Sequence, residues 1–273
     1  MTDLRPIGIF DSGAGGLSVL HQLVKELPFE SFIYFADSAN CPYGSKPQEK
    51  IIERASKITD FLLSQQCKII VVACNTATAA AIDWLRSNYT IPFVGMEPAV
   101  KPAAINSHTK SIGVLATAGT FKGRLYNETS QKYASDINVC YQIGEGLVEL
   151  VERGEYKTPE AEILLAKYLK PMIDCNIDQL VLGCTHYPFF KHSLIRLLPS
   201  RVQIIDPAPA VAKQTSRVLT EKEHLGDKSN KNNYFTFYSS GSTQILKYLI
   251  GEIESDIGFE LRNVKYVDDL KLP

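Results

Sequence analysis

Lys68-Ile69-Ile70-Val71-Val72-Ala73-Cys74-Asn75-Thr76 is the stretch that decides the fold. Its apolar, largely β-branched run reads as a strand buried on both faces, the kind found in parallel sheets covered by helices. Gln179-Leu180-Val181-Leu182-Gly183-Cys184-Thr185-His186 reads the same way. Each strand ends at a cysteine. In an open α/β sheet ligands bind outside the carboxyl ends of the strands, so both sulfurs belong at a crevice rather than in a core. Two thiols facing each other across a crevice suit proton transfer by two bases.

On either side of these stretches, short apolar strands alternate with longer amphipathic segments, the pattern of βα units and a parallel sheet. Strands are expected at Ile7 to Phe10, Phe32 to Ala36, Lys68 to Ala73, Pro92 to Gly95, Ser111 to Ala116, Ile137 to Tyr141, Gln179 to Gly183, Gln203 to Ile205 and Tyr234 to Tyr238. The clearest helix runs from Pro47 to Gln65, where Ile51, Ile52, Ala55, Ile58, Phe61 and Leu62 recur at helical spacing. Glu221 to Asn233, polar and rich in Lys and Asn, reads as an exposed loop.

Aligning the strands exposes a weak internal repeat. Gly8-Ile9-Phe10-Asp11-Ser12-Gly13-Ala14-Gly15 resembles Gly113-Val114-Leu115-Ala116-Thr117-Ala118-Gly119-Thr120, an offset of 113 minus 8, or 105. Cys74 and Cys184 are offset by 184 minus 74, or 110, and Glu97-Pro98-Ala99 and Asp206-Pro207-Ala208 by 206 minus 97, or 109. Three near-equal offsets in register predict two similar α/β domains related by a pseudo-twofold axis, with the site in the cleft between them. The expected division is 1–97 with 208–273 on the Cys74 side, and 98–207 on the Cys184 side. The C-terminal segment has no partner in the repeat, so it must pack onto one half and enlarge it.

The bulk numbers narrow the class. A chain of 273 residues holds one large domain or two medium ones. Its 29 Lys and Arg nearly balance 30 Asp and Glu, and a net charge of -1 gives no footprint for nucleic acid or an anionic membrane. A small-molecule substrate is expected instead. No apolar run reaches the roughly 18 residues that span a bilayer. Met1-Thr2-Asp3-Leu4-Arg5-Pro6 leads straight into a strand rather than a signal-peptide core, so a cytoplasmic location is expected. The six cysteines include no C-x-x-C pair, and disulfides are not expected. Cys67, Cys140 and Cys175 read as small buried hydrophobes.

Asp11-Ser12-Gly13-Ala14-Gly15-Gly16 joins a strand to a helix but fits neither phosphate-binding pattern. Position 18 is Ser where a dinucleotide loop read from Gly13 wants Gly, no Gly-Lys-Ser/Thr follows, and Asp11 would repel a phosphate. It reads as a tight loop that lets substrate approach the backbone, with the Asp11 carboxylate available to an ammonium group or a neighbouring base. A plain capping Asp is the alternative. Asn40-Cys41-Pro42-Tyr43-Gly44 is a turn just beyond the second strand, at the expected cleft mouth. An ordinary thiol titrates near pH ~8.5, so a helix N-terminus or a polarising His brings the thiolate within reach of neutral pH. His186, two residues beyond Cys184, is the group placed to assist that thiol. Cys74, Cys184 and His186 could supply three metal ligands, but their spacing matches no common zinc signature and no metal is expected. A cysteine hydrolase would gain nothing from the second strand-end thiol.

Asp11-Ser12-Gly13-x-Gly15-Gly16-Leu17-Ser18, Pro42-Tyr43-Gly44, Ala73-Cys74-Asn75-Thr76-Ala77 and Leu182-Gly183-Cys184-Thr185-His186-Tyr187-Pro188 together resemble the glutamate racemases of the aspartate/glutamate racemase family. The match spans nearly the whole chain in order. The resemblance implies a cofactor-independent isomerase that supplies D-glutamate for peptidoglycan and uses neither metal nor pyridoxal phosphate. It implies Cys74 and Cys184 as the acid/base pair, with Asp11 and His186 tuning them and Glu152 as a further acidic group at the cleft. Asp11, Ser12, Tyr43, Gly44, Asn75, Thr76, Thr185 and His186 match substrate-binding positions. Before Glu152 the chain departs from the family pattern, with Gly144-Glu145 and Glu149 where Cys-Pro and Pro are common. A homodimer is compatible with the family. Aspartate racemase is the nearest alternative, and a non-catalytic metal or redox module built on the same thiols is the alternative from another class.

Overall fold

The computed structural model describes residues 3–97, 99–134, 136–226, 233–257, 261 and 264–272. Its strands are β1 (Ile7–Asp11), β2 (Phe32–Ala36), β3 (Ile69–Val72), β4 (Phe93–Gly95), β5 (Ser111–Ala116), β6 (Asn138–Ile143), β7 (Gln179–Gly183), β8 (Gln203–Ile205), β9 (Phe235–Ser239) and β10 (Val264–Val267). They form two sheets, ordered β10-β9-β2-β1-β3-β4 and β6-β5-β7-β8, and every pairing is parallel. The block β2-β1-β3-β4 is wound in the same order as β6-β5-β7-β8, so the internal repeat is a repeated winding. Helices separate successive strands, and β1, β2, β3, β5 and β7 are buried along their whole length. The chain is α/β throughout.

This winding positions the site. Strand order reverses beside β1 and β3 in one sheet and beside β5 and β7 in the other, which is where an open α/β sheet leaves a crevice. Asp11 ends β1 and Cys74 follows β3, while Thr117 follows β5 and Cys184 follows β7.

The expected strands all form, four with the expected ends and the other five with ends shifted by one or two residues. The helix expected from Pro47 to Gln65 is Gln48–Ser64, flanked by those two residues, and its Ile51, Ala55, Ile58 and Leu62 stripe is buried. Only β10 was not expected. Its four residues lie at the sheet edge, where pairing with β9 and stacking of Tyr266 on Phe237 at 5.3 Å define it. The C-terminal segment thus enlarges the first sheet. β9 pairs with β2, and Phe32 stacks on Phe235 at 5.5 Å. The expected loop begins where the helix Ala208–Glu221 ends, and its residues 227–232 lie outside the described residues, as does Pro98 of the Glu97-Pro98-Ala99 motif.

The expectation of no disulfide is corrected. Cys140 on the edge strand β6 is bonded to Cys175, which caps the C-terminus of the helix Pro159–Asp174. The two lie 35 residues apart in sequence and only half-buried, and packing of that helix against β6 brings them together. Sequence spacing carries no trace of that packing. Cys67 is a free buried thiol, as expected.

Candidate active site

The helix Asn75–Asn88 starts immediately after β3, and the extended backbone of Cys74 makes that residue its N-cap. The Cys74 Sγ accepts from the Ala77 N–H at 3.4 Å and lies 3.8 Å from the Ser12 Oγ. In the second unit a single 3-10 turn, Tyr187–Phe190, follows the Cys184 strand, with Pro188 at its start. Cys184 therefore has a side-chain neighbour where Cys74 has a helix end: its Sγ lies 3.7 Å from the His186 Nδ1. The other ring nitrogen, Nε2, is 2.7 Å from the Glu152 Oε1, which also accepts from the Ala14 N–H at 2.7 Å.

Both sulfurs line one cavity together with Ser12, Tyr43, Gly44, Asn75, Thr76, Thr185 and His186, all residues expected from the sequence. Its free volume is about 10 Å³, room for roughly one water. Thr76 and Thr117 hydroxyls meet across it at 2.8 Å, and the Gly119 N–H donates to the Gly44 carbonyl at 3.1 Å, so the two units are in contact around the site. The Asn75 Oδ1 is buried without a hydrogen-bond partner. Asn75 lines the cavity, so this amide oxygen is open to a ligand's polar group.

Asp11 and Glu152 stand behind the wall rather than in it. The Asp11 Oδ2 accepts from the Gly16 and Gly13 N–H groups at 2.9 and 3.3 Å, and its Oδ1 accepts from the Thr185 hydroxyl at 3.4 Å. The glycines of this loop make room for the opposite unit. A Cβ on Gly13 would lie 2.1 Å from the Glu152 Oε1, and one on Gly15 would lie 2.3 Å from the His186 Nδ1. The loop thus accommodates the His186–Glu152 pair itself.

The electrostatics differ on the two sides. Burial pushes the Cys74 thiol well up, and the Asp11 carboxylate adds to that; the Ala77 N–H and Ser12 act the other way. Burial also raises Asp11, with the charge on His186 and the Gly16 N–H offsetting part of it. For His186, burial opposes the charged ring, but hydrogen bonds to Cys184, Cys41 and Glu152 outweigh it and hold the proton well above the usual imidazole range. Burial likewise opposes the Glu152 carboxylate, and the hydrogen bond and charge of His186 overcome it, so Glu152 titrates below the usual range. The pair is an imidazolium–carboxylate pair at neutral pH, and a cationic ring is the neighbour a thiolate needs.

Several participants were not expected. Thr117 and Val148 line the cavity, and Thr117 stands where the repeat places Ser12, so its signal was present at offset 105 (117 minus 12). Asp37 carries the Tyr43 hydroxyl at 2.5 Å and takes a two-point contact from Arg54 at 2.9 and 2.8 Å. Burial works against the Asp37 carboxylate, and Arg54 and Tyr43 outweigh it. This group fixes the Pro42-Tyr43-Gly44 turn, and nothing in the sequence ties Asp37 to Arg54.

Residues 7–215 match the family described as Asp/Glu/Hydantoin racemase. The chain belongs to that family. The glutamate racemase of Ectopseudomonas mendocina is 46% identical over 252 residues, covering 90% of this chain and 95% of the relative. Among solved structures, glutamate racemase isoform RacE1 from Bacillus anthracis superposes with a TM-score of 0.84 at 31% identity, covering 98% of this chain and 99% of that one. The Francisella tularensis glutamate racemase, solved in complex with D-glutamate, superposes at 0.82 and 31%, covering 99% and 98%. The chain is therefore an isomerase of the racemase class, and its two α/β units carry the fold of those enzymes. Among the described residues no helix is long and apolar enough to cross a membrane.

Proposed function

We propose that this racemase interconverts L- and D-glutamate without a cofactor, by proton transfer between Cys74 and Cys184, and supplies D-glutamate for peptidoglycan in the cytoplasm. The observation that carries the reading is that two thiols from two similarly wound units line one small cavity. A single base cannot readily return a proton to the face opposite the one it left, whereas two bases on opposite faces can. One sulfur, as thiolate, takes the α-proton; the other, as thiol, gives its proton to the far face, and turnover leaves their protonation states exchanged. The α-proton beside an ionised carboxylate is weakly acidic, so the developing charge needs preorganised donors. Asn75, Thr76 and Thr185 are suited to that role, with Ser12 and the Tyr43-Gly44 turn completing the site.

Asp11 and the His186–Glu152 pair are read as positioning residues for Cys74 and Cys184 respectively. The division into 1–97 with 208–273, and 98–207, follows the two sheets. Glutamate is much larger than the free volume at the thiols, so each turnover includes an opening between the units. Purified, chelator-treated protein should racemise glutamate, followed by polarimetry, and should act far more slowly on aspartate. Activity lost on chelation and restored by zinc, or a preference for aspartate, would overturn the reading.

A further inference from the structure

Cys41 is the one thiol near the cleft that the reaction above does not use. Its sulfur stands with the Glu152 carboxylate and the His186 imidazole in a group of three donors whose ligand atoms all lie within 4.8 Å of one another. Among the described residues no other such group occurs. The donor set is one sulfur, one nitrogen and one oxygen, which suits a borderline-soft divalent ion such as zinc. Tetrahedral zinc holds its ligand atoms about 3.5 Å apart, so ligation needs the 2.7 Å between Nε2 and Oε1 to widen and any pair near the 4.8 Å limit to close.

The surroundings also fit. The Ala14 N–H orients Glu152, and the His186 Nδ1 faces Cys184, so both ligands are held by outer partners. Glu152 also lines an open surface cleft of about 810 Å³ between Ser38, Ala39, Arg153 and Tyr248, so this ligand of the three borders solvent.

Cys41 belongs to the turn after β2, in the first unit, whereas Glu152 and His186 belong to the second. An ion held by all three ties the units together at the rim of a cavity too small for an amino acid. We propose that Cys41, Glu152 and His186 form an inhibitory zinc site that clamps the cleft shut. The site shares His186 with the Cys74–Cys184–His186 set but contains neither strand-end thiol, and by engaging His186 and Glu152 it withdraws the pair that positions Cys184. Ligation displaces the Cys41 proton and the proton His186 shares with Glu152, leaving a fourth position for water.

The test uses the whole purified protein. Cobalt(II) in place of zinc should give one equivalent of a sulfur-to-cobalt charge-transfer band, and zinc should raise the melting temperature, since a ligand of the closed form stabilises it. Zinc should also suppress racemisation, reversibly on chelation. Cys41→Ala should lose the band and the thermal shift, and its sensitivity to zinc, measured against its own metal-free rate, should fall at least tenfold. Cys41→Ser, which keeps the side-chain volume, should behave the same way and guards against a folding defect. Absence of the band in the unaltered protein refutes the site. A band and zinc inhibition that persist in both variants assign the metal to Cys74 and Cys184 and refute it equally. The spectroscopic and thermal readouts stand whether or not glutamate is the substrate.

Discussion

Cys74 and Cys184 occupy equivalent places in two similarly wound sheets, yet their neighbourhoods are opposite in sign. Cys74 caps a helix of 14 residues and has a buried carboxylate, Asp11, close by. Cys184 has no such helix and borrows a cation instead, the His186 ring backed by Glu152. Two bases exchanging one proton need equivalent geometry and do not need equivalent surroundings. The asymmetry sets a helix end and a carboxylate beside one thiol and the His186–Glu152 pair beside the other.

The largest test removes either side altogether. Cys74→Ala and Cys184→Ala should each lower racemisation by roughly 10²–10⁴, the usual worth of a positioned proton-transfer group. In heavy water the surviving thiol should still exchange the α-hydrogen of one enantiomer: L-glutamate when Cys184 remains, D-glutamate when Cys74 remains. Mass spectrometry showing both variants exchanging the same enantiomer would break the opposition between the two thiols.

Removing the cation tests the source of the asymmetry. His186→Asn should lower kcat/KM about 10²-fold, the low end for such groups. Because enantiomers have equal free energy, kcat/KM must fall equally in both directions, and only kcat and KM taken singly can reveal which thiol was affected. His186 keeps its proton through neutral pH and releases it only on the alkaline side, partly because Glu152 holds it. Glu152→Gln should therefore move the alkaline limb of the kcat/KM profile down by roughly one pH unit. A limb that stays in place means that Glu152 does not set the charge on His186.

On the Cys74 side a smaller loss is expected, about tenfold for Asp11→Asn, because the Ala77 N–H and the helix end remain. Thermal melting should show the variant folded. A loss as large as that of His186→Asn would mean the two sides are electrostatically alike. The smallest effect on catalysis belongs to the disulfide, which lies away from both thiols on β6. Cys140→Ser should leave racemisation unchanged while lowering the stability of the oxidised protein by about 2–4 kcal/mol, read from denaturant melts. A fall in activity would connect that edge to the cleft.

Most of the fold was legible because its strands are short, apolar and bounded by turn residues, and because the chain states its winding twice. Asp11-Ser12, Tyr43-Gly44, Cys74-Asn75-Thr76 and Cys184-Thr185-His186 were legible for a related reason: each follows directly on a strand end, and the sheet brings strand ends together. Thr117 was within reach of the same repeat. Asp37 with Arg54, and Cys41 with Glu152, were not, since each pair joins elements whose spacing along the chain carries no signal.

The sequence by itself determined the two parallel sheets, the paired strand-end thiols and the motifs around them, because these rest on local apolar pattern and on residues adjacent to it. Only the tertiary structure decided that Gly13 and Gly15 receive Glu152 and His186 from the opposite unit, that Cys140 meets Cys175, and that Cys41 faces a carboxylate and an imidazole. Those are contacts between units or across a packed helix. Their energy depends on distance in space and burial, and neither leaves a period in the chain.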